Sequence, residues 1–178
     1  MMRVLLMILL FVLQGPAARA EIDWSLDFAM PDKDLAVGFG GGLAVAEEAR
    51  PGDLGGLVCA SASWLDGPLG LHATLYGHRE RQADRLGASL EATIWYVLLL
   101  GGGVSHGAML EPGGRGVPQR ASALTLFAGV PWPVVRLEDG GSIVVLAWTR
   151  PALRFADRSS VSLHTQVGLS LLWSSFGF

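Results

Sequence analysis

From Ser159 to Phe178 the chain has no Asp, Glu, Lys or Arg, and it alternates apolar with small or polar side chains. Val161, Leu163, Thr165, Val167, Leu169, Leu171 and Trp173 fall on one face of an extended strand. Ser162, His164, Gln166, Gly168 and Ser170 fall on the other, because successive side chains of a strand point to opposite sides. Such a two-residue period is what a strand needs when its two faces meet different surroundings. A strand of this kind at the end of a chain is expected to close a sheet. After Trp173 the period slips at Ser175, Phe176 and Phe178, which predicts a bulge or an extension there.

The same period recurs upstream. In Leu35–Ala46, Leu35, Val37, Phe39, Leu43 and Val45 alternate with Ala36, Gly38, Gly40, Gly42, Ala44 and Ala46. In Leu69–His78 the row Leu69, Leu71, Ala73 and Leu75 opposes His72, Thr74, Tyr76 and His78. In Leu86–Leu98 an apolar row from Leu86 to Leu98 opposes Gly87, Ser89, Glu91, Thr93 and Trp95. Leu54–Leu65, Arg120–Val130, Pro133–Glu138 and Ser142–Arg150 are further candidates. The turns between them are marked by Arg50-Pro51-Gly52-Asp53, Asp66-Gly67-Pro68, Glu111-Pro112-Gly113-Gly114 and Asp139-Gly140-Gly141, sequences rich in residues that turns favour. Apolar residues make up 51% of the chain and glycine occurs 24 times. Charge gathers at Asp32–Asp34, Glu47–Asp53, Arg79–Arg85, Glu138–Asp139 and Arg154–Arg158, leaving nearly charge-free segments between. Their length, about ten to fourteen residues, suits a tilted membrane-crossing strand and its flanks.

At the other end, Met1–Arg3 form a short positive region and Val4–Leu13 an unbroken apolar run that leads to Ala18-Arg19-Ala20. This is the layout of a cleavable signal peptide, and residues 1–20 are expected to be removed before Glu21. The apolar run would rise only ~15 Å as a helix, about half of a hydrocarbon core. Loss of Arg3 and Arg19 leaves 11 basic against 16 acidic residues, a formal charge of −5. Residues 21–178 are of single-domain length. The acid balance and the absence of a basic cluster argue against a nucleic-acid partner. Cys59 is the sole cysteine, so no internal disulfide supports the fold, and it reads as a small apolar strand residue.

The terminal segment resembles the C-terminal strand of Gram-negative outer-membrane β-barrels, in which a polar residue, a glycine and two apolar residues at set spacing precede a final aromatic. Gln166, Gly168, Leu171 and Trp173 match it, with Phe178 at the end. The likeness spans about a dozen residues and points to a class of proteins rather than one family. It implies an outer-membrane location and recognition by the barrel-assembly machinery through Gln166, Gly168, Leu171, Trp173 and Phe178.

The expected fold is thus all-β, a closed antiparallel transmembrane β-barrel of eight strands, with Gly101–Pro118 as a long connection. Ten strands result if Ile22–Phe28 and Gly103–Leu110 also pair, and both even counts suit a bacterial barrel. Pro131-Trp132-Pro133 is expected to turn or break the chain, because proline cannot donate to a central ladder. Trp64, Trp95, Trp132, Trp148 and Trp173, with Tyr96, lie mostly near strand ends and are expected to form interfacial girdles. Two rival folds compete. Ala92–Leu110 holds no formal charge over nineteen residues and is long enough for a helical span, though Gly101-Gly102-Gly103 interrupts it. A soluble periplasmic β-barrel or sandwich would turn the apolar rows inward and bind an apolar ligand.

Chemistry is sparse, and no metal-ligand spacing, phosphate loop or nucleophile elbow occurs. Gly38-Phe39-Gly40-Gly41-Gly42 sits inside an alternating strand, so tight packing in a narrow barrel accounts for it. With Arg79–Arg85 taken as the hairpin loop, Glu91 is expected nearly opposite Thr74, with His72 and Tyr76 as diagonal neighbours. Such a trio could do acid–base work or fill the lumen as a hydrogen-bonded plug. Ser105-His106 near Glu111 has the residue types of a lipid esterase, but adjacent strand residues face opposite ways. Two functions follow: a structural, adhesive or narrow-pore barrel without enzymatic activity, or a lipid-modifying barrel enzyme acting on acyl esters or lipid A. No cofactor is called for.

Overall fold

A computed structural model describes residues 33–46, 54–79, 84–95, 98–110, 119–138, 140–157 and 160–175. The signal peptide, Ile22–Phe28, Tyr96, Glu111 and Phe176–Phe178 lie outside them. The described residues form eight strands: β1 (Lys33–Ala46), β2 (Gly55–Asp66), β3 (Leu69–Arg79), β4 (Asp84–Trp95), β5 (Leu99–Leu110), β6 (Gln119–Arg136), β7 (Ser142–Asp157) and β8 (Ser160–Ser174). Every strand pairs antiparallel with its neighbour in sequence, and β8 pairs with β1, so the sheet closes into a barrel. Closure leaves no edge strand. No helix occurs among the described residues, so Ala92–Leu110 is not a helical span but the end of β4 followed by β5.

The strand count of eight matches the expectation, but the set of strands differs at two places. Gly101–Leu110 belongs to β5 rather than to a long connection, and Arg120–Val130 and Pro133–Glu138 are not separate strands. Gln119–Arg136 runs as one strand through Pro131-Trp132-Pro133. The reason lies in the neighbours. The β5 ladder ends at Leu99↔Gly129, while Pro131↔Leu146 and Pro133↔Val144 continue the pairing with β7. Pro131 and Pro133 share one parity, so their missing N–H groups fall on the edge that β5 has already left. A register shift between Pro133 and Val135 then ends the strand.

The seam is set by glycine. β8 lies against β1 from Ala36↔Ser174 to Ala46↔His164. A Cβ on Gly38 would strike the Leu171 carbonyl, and one on Gly42 would strike that of Val167. The glycines of Leu35–Ala46 therefore let two backbones approach within a narrow barrel, as the sequence pattern predicts.

The apolar rows point outward. Phe39, Val58, Leu75, Leu90, Leu126 and Leu169 are at least half exposed, as are Leu69, Leu86, Ile94, Leu100, Val104 and Leu124. Trp64, Trp132 and Trp173 are on this outer face, all near the end of the barrel that carries residues 33 and 175. Trp95 and Trp148 correct the girdle expectation, being buried at 5% and 6% exposure. Both share the parity of the inward rows, Trp95 with Glu91 and Thr93, and Trp148 with Leu146 and Arg150.

The interior is layered. At the end nearest residues 33 and 175, Ala36, Leu65, Trp95, Leu99, Val144, Leu146 and Leu172 form a buried apolar plug. The middle is polar, with His72, Thr74, Ser89, Glu91, Thr125, Arg150 and Gln166 all buried. Eight strands enclose an interior just wide enough for such side chains. The connections at the plugged end are short, residues 67–68, 96–98 and 137–141, and Gly67 takes a positive φ of 57° in the first of them. Those at the opposite end include 47–54 and 111–118.

Candidate functional site

Pairing of β3 with β4 runs from Leu69↔Ile94 to Arg79↔Asp84. The intervening segment is therefore only residues 80–83, shorter than Arg79–Arg85. The register consequently shifts: Glu91 lies opposite His72, and Thr74 opposite Ser89. Tyr76 pairs with Gly87, four residues along the strand from His72, and its ring stacks on His78 at 6.0 Å. The structure brings Glu91 and His72 to one layer and leaves Tyr76 in another.

The partner of Glu91 is a residue that the sequence pattern did not single out. Arg150 on β7 reaches across the lumen, its Nε 2.9 Å from Glu91 Oε1. Thr125 donates to Glu91 Oε1 at 3.1 Å and Ser89 to Oε2 at 3.3 Å. The guanidinium also donates from one terminal nitrogen to Thr74 Oγ1 at 2.6 Å and from the other to Gln166 Oε1 at 3.1 Å. Its carbon sits 5.5 Å from the Phe127 ring centre and 5.2 Å from that of Trp148, close enough for cation–π attraction. Glu91 is 0% exposed and Arg150 2%.

His72 closes the network from the other side. Its Nδ1 lies 2.6 Å from Ser63 Oγ and its Nε2 3.1 Å from Thr74 Oγ1, and its ring stacks on Phe127 at 4.4 Å. Strands β2, β3, β4, β6, β7 and β8 thus each send at least one side chain into a single buried cluster. Burying a charge pair is favourable only when the remaining donors and acceptors are satisfied as well, and here threonine, serine and glutamine supply those contacts. A general base must reach a substrate. Glu91 has no exposed surface, and both nitrogens of His72 lie within hydrogen-bond distance of hydroxyl groups inside the cluster.

Ser105 and His106 point to opposite faces of β5, as adjacent strand residues must. Ser105 is buried inside, whereas His106 is on the outside, its Nδ1 3.0 Å from Ser122 Oγ of β6. Their proximity in sequence therefore brings no nucleophile–base contact. Cys59 faces inward and is buried, its Sγ 3.8 Å from Ser170 Oγ.

Asp34 is a second buried carboxylate, at the seam. Ser174 Oγ donates to it at 2.9 Å and so does Ser175 Oγ, while the Leu35 amide donates to Ser175 Oγ at 2.9 Å. This ties the last described turn of the chain to the first strand. Between the Arg150 layer and the end that carries connections 47–54 and 111–118, the lumen opens into a cavity of about 60 Å³. Among the described residues no group of His, Cys, Asp or Glu is placed to hold a metal ion. Comparison with protein-family models finds none that matches this chain, and comparison with curated proteins finds no significant relative.

Proposed function

We propose that this chain is a small outer-membrane β-barrel with a structural or adhesive role and a closed lumen. The observation that carries the reading is the outer face: large apolar side chains are exposed there on every strand, while the middle of the lumen holds hydrogen-bonded polar groups. Left in water, each outward Leu, Val or Phe would forgo roughly 1.5–3 kcal/mol of burial free energy. The belt runs round all eight strands, far beyond the few hundred Å² of apolar patch that a soluble monomer tolerates. In lipid the same belt is solvated, and a closed barrel satisfies its backbone without water. A soluble barrel with an apolar ligand site would need the opposite arrangement.

Two further features support the assignment. Trp64, Trp132 and Trp173 gather on the outer surface near one end, where indole rings suit a headgroup layer. The two longest connections, 47–54 and 111–118, both lie at the opposite end, beside the short 80–83 and 158–159, and long loops on one side only are a feature of outer-membrane barrels. In this reading residues 1–20 direct export, and Gln166, Gly168, Leu171, Trp173 and Phe178 present the assembly signal. The plug and the Glu91–Arg150 brace together span the lumen, which favours a structural or adhesive role over conduction.

Cell fractionation and gel mobility test the proposal. The protein should be recovered in the outer-membrane fraction, resist SDS unless boiled, and change its mobility on heating. Recovery in the osmotic-shock fraction, with no heat-dependent mobility, would overturn it.

A further inference from the structure

We infer that the outer surface over β5 and β6, at the edge of the apolar belt opposite the tryptophans, binds the phosphate of an anionic lipid through His106 and Arg120. The inference rests on the membrane reading. Strand β6 supplies the scale. Its outward residues run from Arg120 and Ser122 through Leu124, Leu126 and Val130 to Trp132. The ten residues from Ser122 to Trp132 rise about 33 Å along the strand, or roughly 23–27 Å along the membrane normal at the tilt of a barrel strand. An outward apolar band is about 25 Å tall, so Ser122 and Arg120 stand where the second headgroup layer begins. The ladder sets His106 beside Ser122 and Ala108 beside Arg120. His106 and Arg120 are therefore diagonal neighbours on one face, about 7–8 Å apart at the backbone.

Both side chains are exposed and both have donors to give. Arg120 has no hydrogen-bond or ion-pair partner among the described residues, and its guanidinium fork matches the oxygens of phosphate. Nδ1 of His106 lies 3.0 Å from Ser122 Oγ. With the hydroxyl donating to Nδ1, Nε2 carries the proton and is left for a second partner. His106 lies four residues in from the end of β5, whereas the described outward Asp, Glu, Lys and Arg of the strands all fall within one residue of a strand end. A polar ring that deep in the belt needs a partner for each polar atom, and a lipid phosphate supplies the one that Ser122 does not. No carboxylate competes: among the described outward residues of β4, β5 and β6, Asp84 is the one Asp or Glu, and Arg79 holds it at 3.5 Å. Beside His106 a groove of about 400 Å³ runs over Ala88, Val104, Ser122, Leu124 and Phe155. It exists because small Ala88 and Ser122 flank His106 in one ladder row, while Leu90, Val104 and Leu124 stand in the next. An acyl chain laid there puts its headgroup at His106 and Arg120. A second outer groove, over Val58, Ala60, Leu75, Gly77 and Leu86, has no polar side chain on its outward lining.

The test is native mass spectrometry of the full chain, released from vesicles that hold phosphatidylcholine and phosphatidic acid in equal amounts. One phosphatidic acid should stay bound in preference to phosphatidylcholine. Arg120→Gln should lower its retention about fivefold, the effect of one cation near an anionic surface. His106→Leu should lower it about two- to tenfold, the range of one hydrogen bond. Ala88→Phe fills the groove without touching charge and should lower retention as well. Arg79→Gln, at another outward arginine, and Ala60→Phe, in the second groove, should leave it unchanged. Heat-modifiable mobility shows that each variant is folded. A parent chain that does not insert into the vesicles overturns the membrane reading and this inference together. A parent chain that inserts but retains the two lipids equally overturns this inference alone, as does retention unchanged in both Arg120→Gln and His106→Leu.

Discussion

If the Glu91–Arg150 pair braces the lumen, cutting either half should cost far more than removing both. Arg150→Met leaves a carboxylate with no exposed surface facing Ser89 and Thr125 alone. Stranding a buried charge in this way costs about 3–5 kcal/mol. It also releases Thr74 and Gln166 from the guanidinium, and each unsatisfied buried group adds about 1–3 kcal/mol where no water replaces the contact. Glu91→Leu strands the guanidinium instead, with a penalty of similar size. The double variant removes both charges and leaves apolar groups beside Phe127 and Trp148, so it should be much less damaging than the sum of the singles. A coupling of about 2 kcal/mol or more is expected, toward the upper end of what contacting residues show. The assay is urea unfolding of the refolded barrel, followed by tryptophan fluorescence and extrapolated linearly. The exposed Arg79–Asp84 pair provides the control and should show almost no coupling. Single variants that each cost under about 1 kcal/mol and simply add in the double would refute the brace.

Two other substitutions probe the seam and the belt. Gly42→Val places a side chain where the Val167 carbonyl of β8 lies, so the variant should lose most of its compact, heat-modifiable form, while Gly56→Ala, with open space around it, should keep that form. Leu126→Arg, at an outward position 65% exposed beside the Glu91 layer, should destabilise the lipid-embedded barrel by about 2–4 kcal/mol in urea titrations from vesicles. A change of a few tenths would indicate that water, not lipid, surrounds Leu126.

Where each face repeats without interruption, the fold was readable from the chain. The rows of β1, β3, β4 and β8 fixed the strands, the closing role of the last one and the parity of every side chain on them. What periodicity could not supply was the identity of inside and outside, because both faces alternate alike. Strand edges were obscured by glycine and proline, which usually mark turns. Gly101 and Gly103 instead occupy inward positions of β5, where a Cβ would strike the Ala92 and Leu90 carbonyls of β4. The candidate strand Ser142–Arg150 stops one residue before Pro151, yet Pro151 continues the ladder to β8 through Pro151↔Thr165, and the pairing with β6 skips its position. That apparent end hid Arg150, since a charge at a strand terminus reads as loop chemistry. A signal was nonetheless present. Glu91 is an inward carboxylate at mid-strand, which demands a cation on another inward row, and Arg150 shares its parity with Trp148 and Leu146. Counting Arg79–Arg85 as loop pairs His78 with Leu86 instead of Arg85 and so accounts for one residue of the displacement of Glu91 from His72 toward Thr74.

The central claim, that this barrel faces lipid with its apolar row and hides its polar one, is tested most directly by fluorescence quenching from within the bilayer. Variants retaining a single tryptophan are reconstituted in vesicles whose acyl chains carry bromine. Trp173, 39% exposed on the outer face, should be quenched strongly, and Trp148, 6% exposed beneath Arg150 and above Gly168, should be quenched little. Equal quenching of the two, or none for Trp173 in a folded and vesicle-bound protein, would contradict the account.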